Sequence, residues 1–169
     1  MSVIERTVWG VSIVAMFSML SAVNSERDAP VAPHDELTVL AADHAEAMAD
    51  NGGIFHSDSI PGSVTGENVG VGFTLDAVQD AFVASDPHYT VMTDPRFASV
   101  GIGVHESDDR VWVVQIYSNI DSTHGEAILW VLDEGLMGGY PDGTFRSNEP
   151  VTRGQLATVL KNLDDAERR

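Results

Sequence analysis

Leu37, Leu40, Ala41, His44, Ala45 and Met48 recur every three to four residues, and Glu36, Asp43, Glu46 and Asp50 fill the positions between them. That period predicts an amphipathic helix with one buried stripe. Asn51-Gly52-Gly53 ends it, because glycine enters the left-handed conformation of a helix C-terminus without a steric penalty. Thr74 is placed to cap a second helix in which Leu75, Val78 and Phe82 share a face, ending near Ser85-Asp86-Pro87. The pattern then changes. Val100–Val104 and Val111–Tyr117 are nearly unbroken apolar runs joined by the polar turn His105–Arg110, which predicts a β-hairpin whose second strand is buried on both faces. Asn119–Thr123 reads as a boundary, followed by a third helix with Ala127, Ile128, Val131 and Leu132 on one face and Gly135 at its end. Turn-forming residues crowd Gly138–Phe145. A last helix, capped by Thr152, carries Leu156, Val159, Leu160 and Leu163 inward. The stretch Ile54–Gly72, rich in Gly, Ser and Pro, reads as a loop long enough to be a functional surface, and it carries His56 and Glu67.

At the N-terminus no charge occurs from Thr7 to Ser25, and Val8–Leu20 is mostly apolar. The favoured reading is a secretory h-region or short anchor, with Leu20-Ser21-Ala22 as the best cleavage candidate. The competing reading is a buried first helix. Ala29-Pro30-Val31-Ala32-Pro33 interrupts any helix, since proline lacks the amide donor and restricts its predecessor.

Composition narrows the function. The 169 residues hold nine Lys+Arg against 26 Asp+Glu, a net charge of -17. Nucleic acid is therefore excluded as a partner, because its binding depends on Lys and Arg displacing counterions. The absence of cysteine removes disulfides, thiolate metal sites and a Cys nucleophile.

The ordered motifs in the middle of the chain resemble the CAP, or SCP-like, superfamily of cysteine-rich secretory, antigen 5 and pathogenesis-related proteins. They are Asn24-Ser25-Glu26-Arg27, His56-Ser57-Asp58, Gly66-Glu67-Asn68-Val69, Ser85-Asp86-Pro87-His88, Asp94–Val104 and Trp112-Val113-Val114-Gln115. The resemblance implies an α+β fold, a three-layer α-β-α sandwich, over residues 23–118. It also implies an open cleft in which two histidines hold a divalent cation (zinc, magnesium or calcium) beside two acids. His56 and His88 match the histidines and Glu67 the first acid, while Ser85 stands where the second acid belongs and Asp86 is its neighbour. Glu67 and His88 are thus the candidate catalytic groups, with metal ligands His56, His88 and Glu67. No independent hydrolase motif such as His-Glu-x-x-His or Gly-x-Ser-x-Gly supports catalysis.

Downstream, Ala127-Ile128, Trp130, Gly135, Gly139–Arg146 and Asn148–Ala157 are similar to an S-layer homology (SLH) module, here 121–163, with a solvated tail at 164–169. Such modules are small and helical, and the resemblance implies binding of an anionic secondary polymer of the cell wall through Arg153, with Arg146 a weaker second contact. Together these features describe an exported cell-envelope protein, extracellular or wall-bound, whose CAP domain binds a cation or a lipid or small apolar ligand. The alternative is a metal-assisted hydrolase. Plainer roles stand beside each site residue: loop histidines for His56 and His88, a carboxylate holding loop amides for Glu67, and a salt bridge to Glu149 or Asp142 for Arg153. His44 is expected to pack, Trp112 and Phe97 to lie in the core, and His34, His105 and His124 to have structural roles only.

Overall fold

The computed structural model describes residues 13–120, 124–140, 145–146 and 149–168. Ten elements follow among the described residues: α1 (Ile13–Ser25), β1 (Ala32–Pro33), α2 (Asp35–Asn51), β2 (Thr65–Gly72), α3 (Leu75–Ala84), α4 (Asp86–Thr93), β3 (Ser99–Ser107), β4 (Arg110–Ser118), α5 (Gly125–Asp133) and α6 (Arg153–Glu167). The four strands order as β1-β3-β4-β2, with β1 parallel to β3 and the other pairs antiparallel. No helix among the described residues is long and apolar enough to cross a membrane.

Alternation along β4 sorts the core into two layers. Val111, Val113 and Tyr117 face α1, α3 and α4, packing with Met16, Met19, Leu20, Val23, Val78, Phe82 and Met92. Trp112, Val114 and Ile116 face α2, packing with Leu37, Ala41, Ala45 and Met48. The expected three-layer sandwich is therefore present, and both faces of β4 are buried as its continuous apolar run required. The hairpin turn is tighter than the polar stretch suggested. Asp108 and Asp109 carry it with φ of 51° and 59°, the two positive angles that let a two-residue turn follow the strand twist.

Three elements depart from the sequence reading. The second half of the expected loop is strand β2, paired along its whole length with β4. Pro87 does not merely stop a helix; it lies in the first turn of α4, where its missing amide costs nothing. On α6, Leu156 and Leu160 are 48% and 57% exposed rather than turned inward, because no second layer covers that face among the described residues. The apolar N-terminal segment continues into the domain: α1 buries Met16, Met19, Leu20 and Val23.

The Asn24 and Arg27 pair fastens α1 to the rest. Asn24 exchanges two hydrogen bonds with the backbone of Val31. Arg27 donates to the carbonyls of Met92, Asp94 and Phe97, closing the C-terminal end of α4. Replacing Arg27 with Met strands those acceptors in a part-buried site, so urea denaturation should show a loss of about 2–3 kcal/mol.

Candidate functional site

Strand β2 is an edge strand, and the site is built around that edge. Gly66 and Gly70 turn toward Phe97 and Phe82, so Glu67 and Val69, between them, face the α2 layer. Glu67 has a side chain only 4% exposed, and both of its oxygens are engaged. Oε2 accepts from His56 Nδ1 at 2.6 Å and from the Ser57 amide at 3.0 Å, and Oε1 accepts from Ser57 Oγ at 2.5 Å. The carboxylate thus holds the loop that carries His56. His56 itself is 67% exposed, and donation from Nδ1 leaves Nε2 as the free acceptor. His44 braces the same loop through Nε2 and the Phe55 carbonyl at 2.8 Å, with the two rings edge to face.

His88 comes from the opposite layer, on the first turn of α4. Its Nδ1 is 2.8 Å from Ser85 Oγ, and its ring lies 5.1 Å from that of Phe82. Ser85, in the place of the expected second acid, is therefore the residue that addresses His88, whereas Asp86 is exposed. Burial, with a smaller push from the neighbouring His56, holds the His88 pKa below the usual histidine value. His88 is thus fixed from the α3–α4 layer, and His56 from the loop that Glu67 holds.

A buried amide chain that the sequence did not reveal supports this arrangement. Gln79 Oε1 accepts from Gln115 Nε2 at 2.8 Å, and Gln115 Oε1 accepts from Asn68 Nδ2 at 3.2 Å and from Tyr117 Oη at 2.9 Å. Asn68 Nδ2 also donates to the His88 carbonyl at 3.1 Å. The β2–β4 register puts Asn68 opposite Gln115, and that pairing locates the chain.

The donor set tests the expected cation site. With Glu67 committed to His56 and Ser57, the groups left for a cation are two imidazole Nε2 atoms, each with its Nδ1 fixed by a partner. A histidine that binds a metal through one ring nitrogen commonly has the other tied to a partner in this way. No group of three or more His, Cys, Asp or Glu among the described residues is arranged to hold a metal ion.

In the C-terminal region, α6 opens on a complete capping box. Thr152 Oγ1 accepts from the Gln155 amide, and the Gln155 side chain accepts from the Thr152 amide. Arg153 follows the cap, exposed and with no partner among the described residues; Glu149, one expected partner, pairs instead with Arg146 at 3.6 Å. Asp142, the other, lies outside the described residues. Arg146 also stacks over Tyr140 at 4.0 Å, so it braces its turn. The region docks on the sandwich where the Phe145 amide donates to Asp35 Oδ1 at 2.8 Å.

Comparison with known proteins accounts for both halves. The sequence model of the cysteine-rich secretory protein (CAP) family matches residues 20–117, more than half of the chain. The chain belongs to the CAP family. The S-layer homology domain matches residues 117–157. Among solved structures, this CAP protein is similar to an outer surface protein from Borrelia burgdorferi, with a TM-score of 0.56, 18% identity and coverage of 62% of this chain and 92% of that one. It is also similar to an extracellular SCP-domain protein from Bacillus anthracis, with a TM-score of 0.56, 16% identity and coverage of 66% and 42%. At these identities the likeness concerns the fold. Two Acetivibrio thermocellus proteins match over short stretches. Cell surface glycoprotein 1 is 44% identical over 46 residues, 26% of this chain, and the cellulosome-anchoring protein is 52% identical over 33 residues, 20% of this chain. The matches span 2% and 7% of those proteins' lengths. With its SLH module, the CAP protein is extracellular and associated with the cell wall.

Proposed function

We propose that this is a wall-attached binding protein: the SLH module holds an anionic wall polymer through Arg153, and the CAP domain presents the cleft of His56 and His88. The observation that carries the attachment is Arg153 itself. It is an exposed guanidinium in the first turn of a 15-residue helix, where the helix dipole adds to its attraction for an anion. Arg153→Ala should weaken cosedimentation with purified cell-wall sacculi about tenfold, the loss of one charge-assisted contact. Equal retention of variant and parent removes the attachment. Arg146, which braces its turn, is assigned a smaller direct share.

An apolar or lipid ligand has its best support in an open crevice of about 470 Å³ between α1 and α5, where Phe17, Leu20, Trp130 and Leu132 contribute apolar walls. The two tied imidazoles support a second reading, the metal-assisted hydrolase. A divalent cation on their Nε2 atoms would lower the pKa of a bound water, while Glu67 orients His56 and Ser85 orients His88. Zinc calorimetry on the parent and on a His56→Ala/His88→Ala variant separates the readings. Heat lost in the variant supports the cation site, and no heat in the parent leaves the binding role alone.

A further inference from the structure

We propose that ionic strength governs wall attachment by this protein with a sign opposite to the usual one: salt strengthens it. The proposal rests on the wall-binding reading above. Residues 1–120 carry 17 carboxylates against four basic residues, residues 121–169 carry nine against five, and Lys161 is the single lysine of the chain. The basic groups are mostly committed. Arg27 holds backbone carbonyls, Arg96 pairs with Asp94, and the Arg110 guanidinium lies 4.1 Å from the centre of the Phe73 ring. Arg146 braces its turn, and Lys161 and Arg168 pair with Asp165 and Asp164. Among the described residues Arg153 is the basic side chain left for a partner.

The carboxylates are arranged in the opposite way. Asp43, Asp50, Asp76, Asp80 and Glu106 are exposed on α2, α3 and β3 without an ion-pair partner among the described residues. Asp76 and Asp80 stand four apart on α3, a spacing at which like charges repel. A surface of this kind meeting an anionic polymer sets two forces of different range against each other. Repulsion summed over the whole domain reaches about a Debye length, roughly 30 Å in 0.01 M salt and 3 Å in 1 M. The Arg153 contact acts at hydrogen-bond distance and is screened less. Added salt therefore removes the repulsion first, whereas a protein that docks through a basic patch loses affinity as salt rises.

The test is cosedimentation of the full chain with purified sacculi at pH 7 in 10, 100 and 500 mM NaCl, with circular dichroism to establish that it is folded at each salt. The bound fraction should rise about threefold or more between the lowest and highest salt. A variant carrying Asp43→Asn, Asp50→Asn, Asp76→Asn, Asp80→Asn and Glu106→Gln should bind better than the parent at 10 mM and respond less to salt. Sucrose, which favours compact states without screening charge, should not substitute for NaCl. Binding that falls with salt, or a variant with the parent's salt curve, overturns the proposal while leaving wall attachment intact. No sedimentation at any salt overturns both.

Discussion

A chain shortened to begin at Val23 should not fold. Cleavage after Ala22, the best candidate site in the apolar N-terminal segment, would cut through α1, which runs from Ile13 to Ser25. It would remove Met16, Met19 and Leu20, each less than a tenth exposed, from the cluster that joins α1 to α3, α4 and one face of the sheet. Phe17, packed against the same cluster, would go with them. Losing a buried Leu or Met side chain costs about 2–5 kcal/mol. Three of them reach about 6–15 kcal/mol, the whole stability of an ordinary domain. The remaining Val23–Ser25 stub is too short to hold a helical turn, so Asn24 and Arg27 would lose the frame from which they bind Val31 and the end of α4. Circular dichroism and urea titration of the shortened chain should show no cooperative transition. N-terminal sequencing of protein extracted from the wall should recover a chain that retains Met16–Leu20. A shortened chain that unfolds cooperatively with the parent's midpoint would show that α1 is dispensable.

The elements that were legible share one property: their apolar side chains report their own burial. The stripe of α2 and the unbroken run of β4 each place carbon where the core needs it, so period alone identifies them. Strand β2 hides because three of its positions facing the α3–α4 layer are Gly66, Gly70 and Gly72, and the volume a side chain would fill is taken by Phe82 and Val78 from α3 and by Phe97 from the loop after α4. Its burial is recorded in other residues. Helix α4 hides because Ser85-Asp86-Pro87 signals both a helix end and a helix start, and here it does both. The site shows the same division. His56, Glu67 and His88 were marked by their motifs, but the two bonds from Ser57 to Glu67 and the line from Gln79 through Gln115 and Asn68 to His88 depend on register and loop path, which no local pattern encodes. Alpha6 misled for the reverse reason. Its stripe has the right period, but an amphipathic pattern requires only that some surface cover it, and among the described residues none covers Leu156 and Leu160.

Gly103→Ala and Gly101→Ala should each be severely destabilising for the addition of a single methyl. Both glycines face α2 from β3, and what they meet is backbone. A Cβ on Gly103 would lie 2.1 Å from the carbonyl carbon and oxygen of Ala41, and one on Gly101 would lie 2.0 Å from the carbonyl carbon of Leu37. No rotamer change can relieve such a contact, because the obstructing atoms are fixed by the helix itself. Accommodation requires α2 to move off the sheet, which opens space beneath Leu37, Ala41, Ala45 and Met48 throughout their cluster with Trp112, Val114 and Ile116. Overpacking a core usually costs about 1–3 kcal/mol. A clash of backbone against backbone belongs at or above the top of that range, so each variant should lose about 3 kcal/mol or more. In a domain of this size that corresponds to a melting temperature lower by roughly 10 °C. Gly138→Ala is the control, since a Cβ there would meet nothing within 4 Å, and its urea midpoint should match the parent's. The consequence extends to the site: α2 carries His44, which braces the loop at Phe55 beside His56. A displaced α2 should therefore broaden the His56 ring resonances in a proton NMR spectrum of the folded Gly103→Ala variant, whereas those of His88, held by Ser85 and Asn68 on the other layer, should stay sharp.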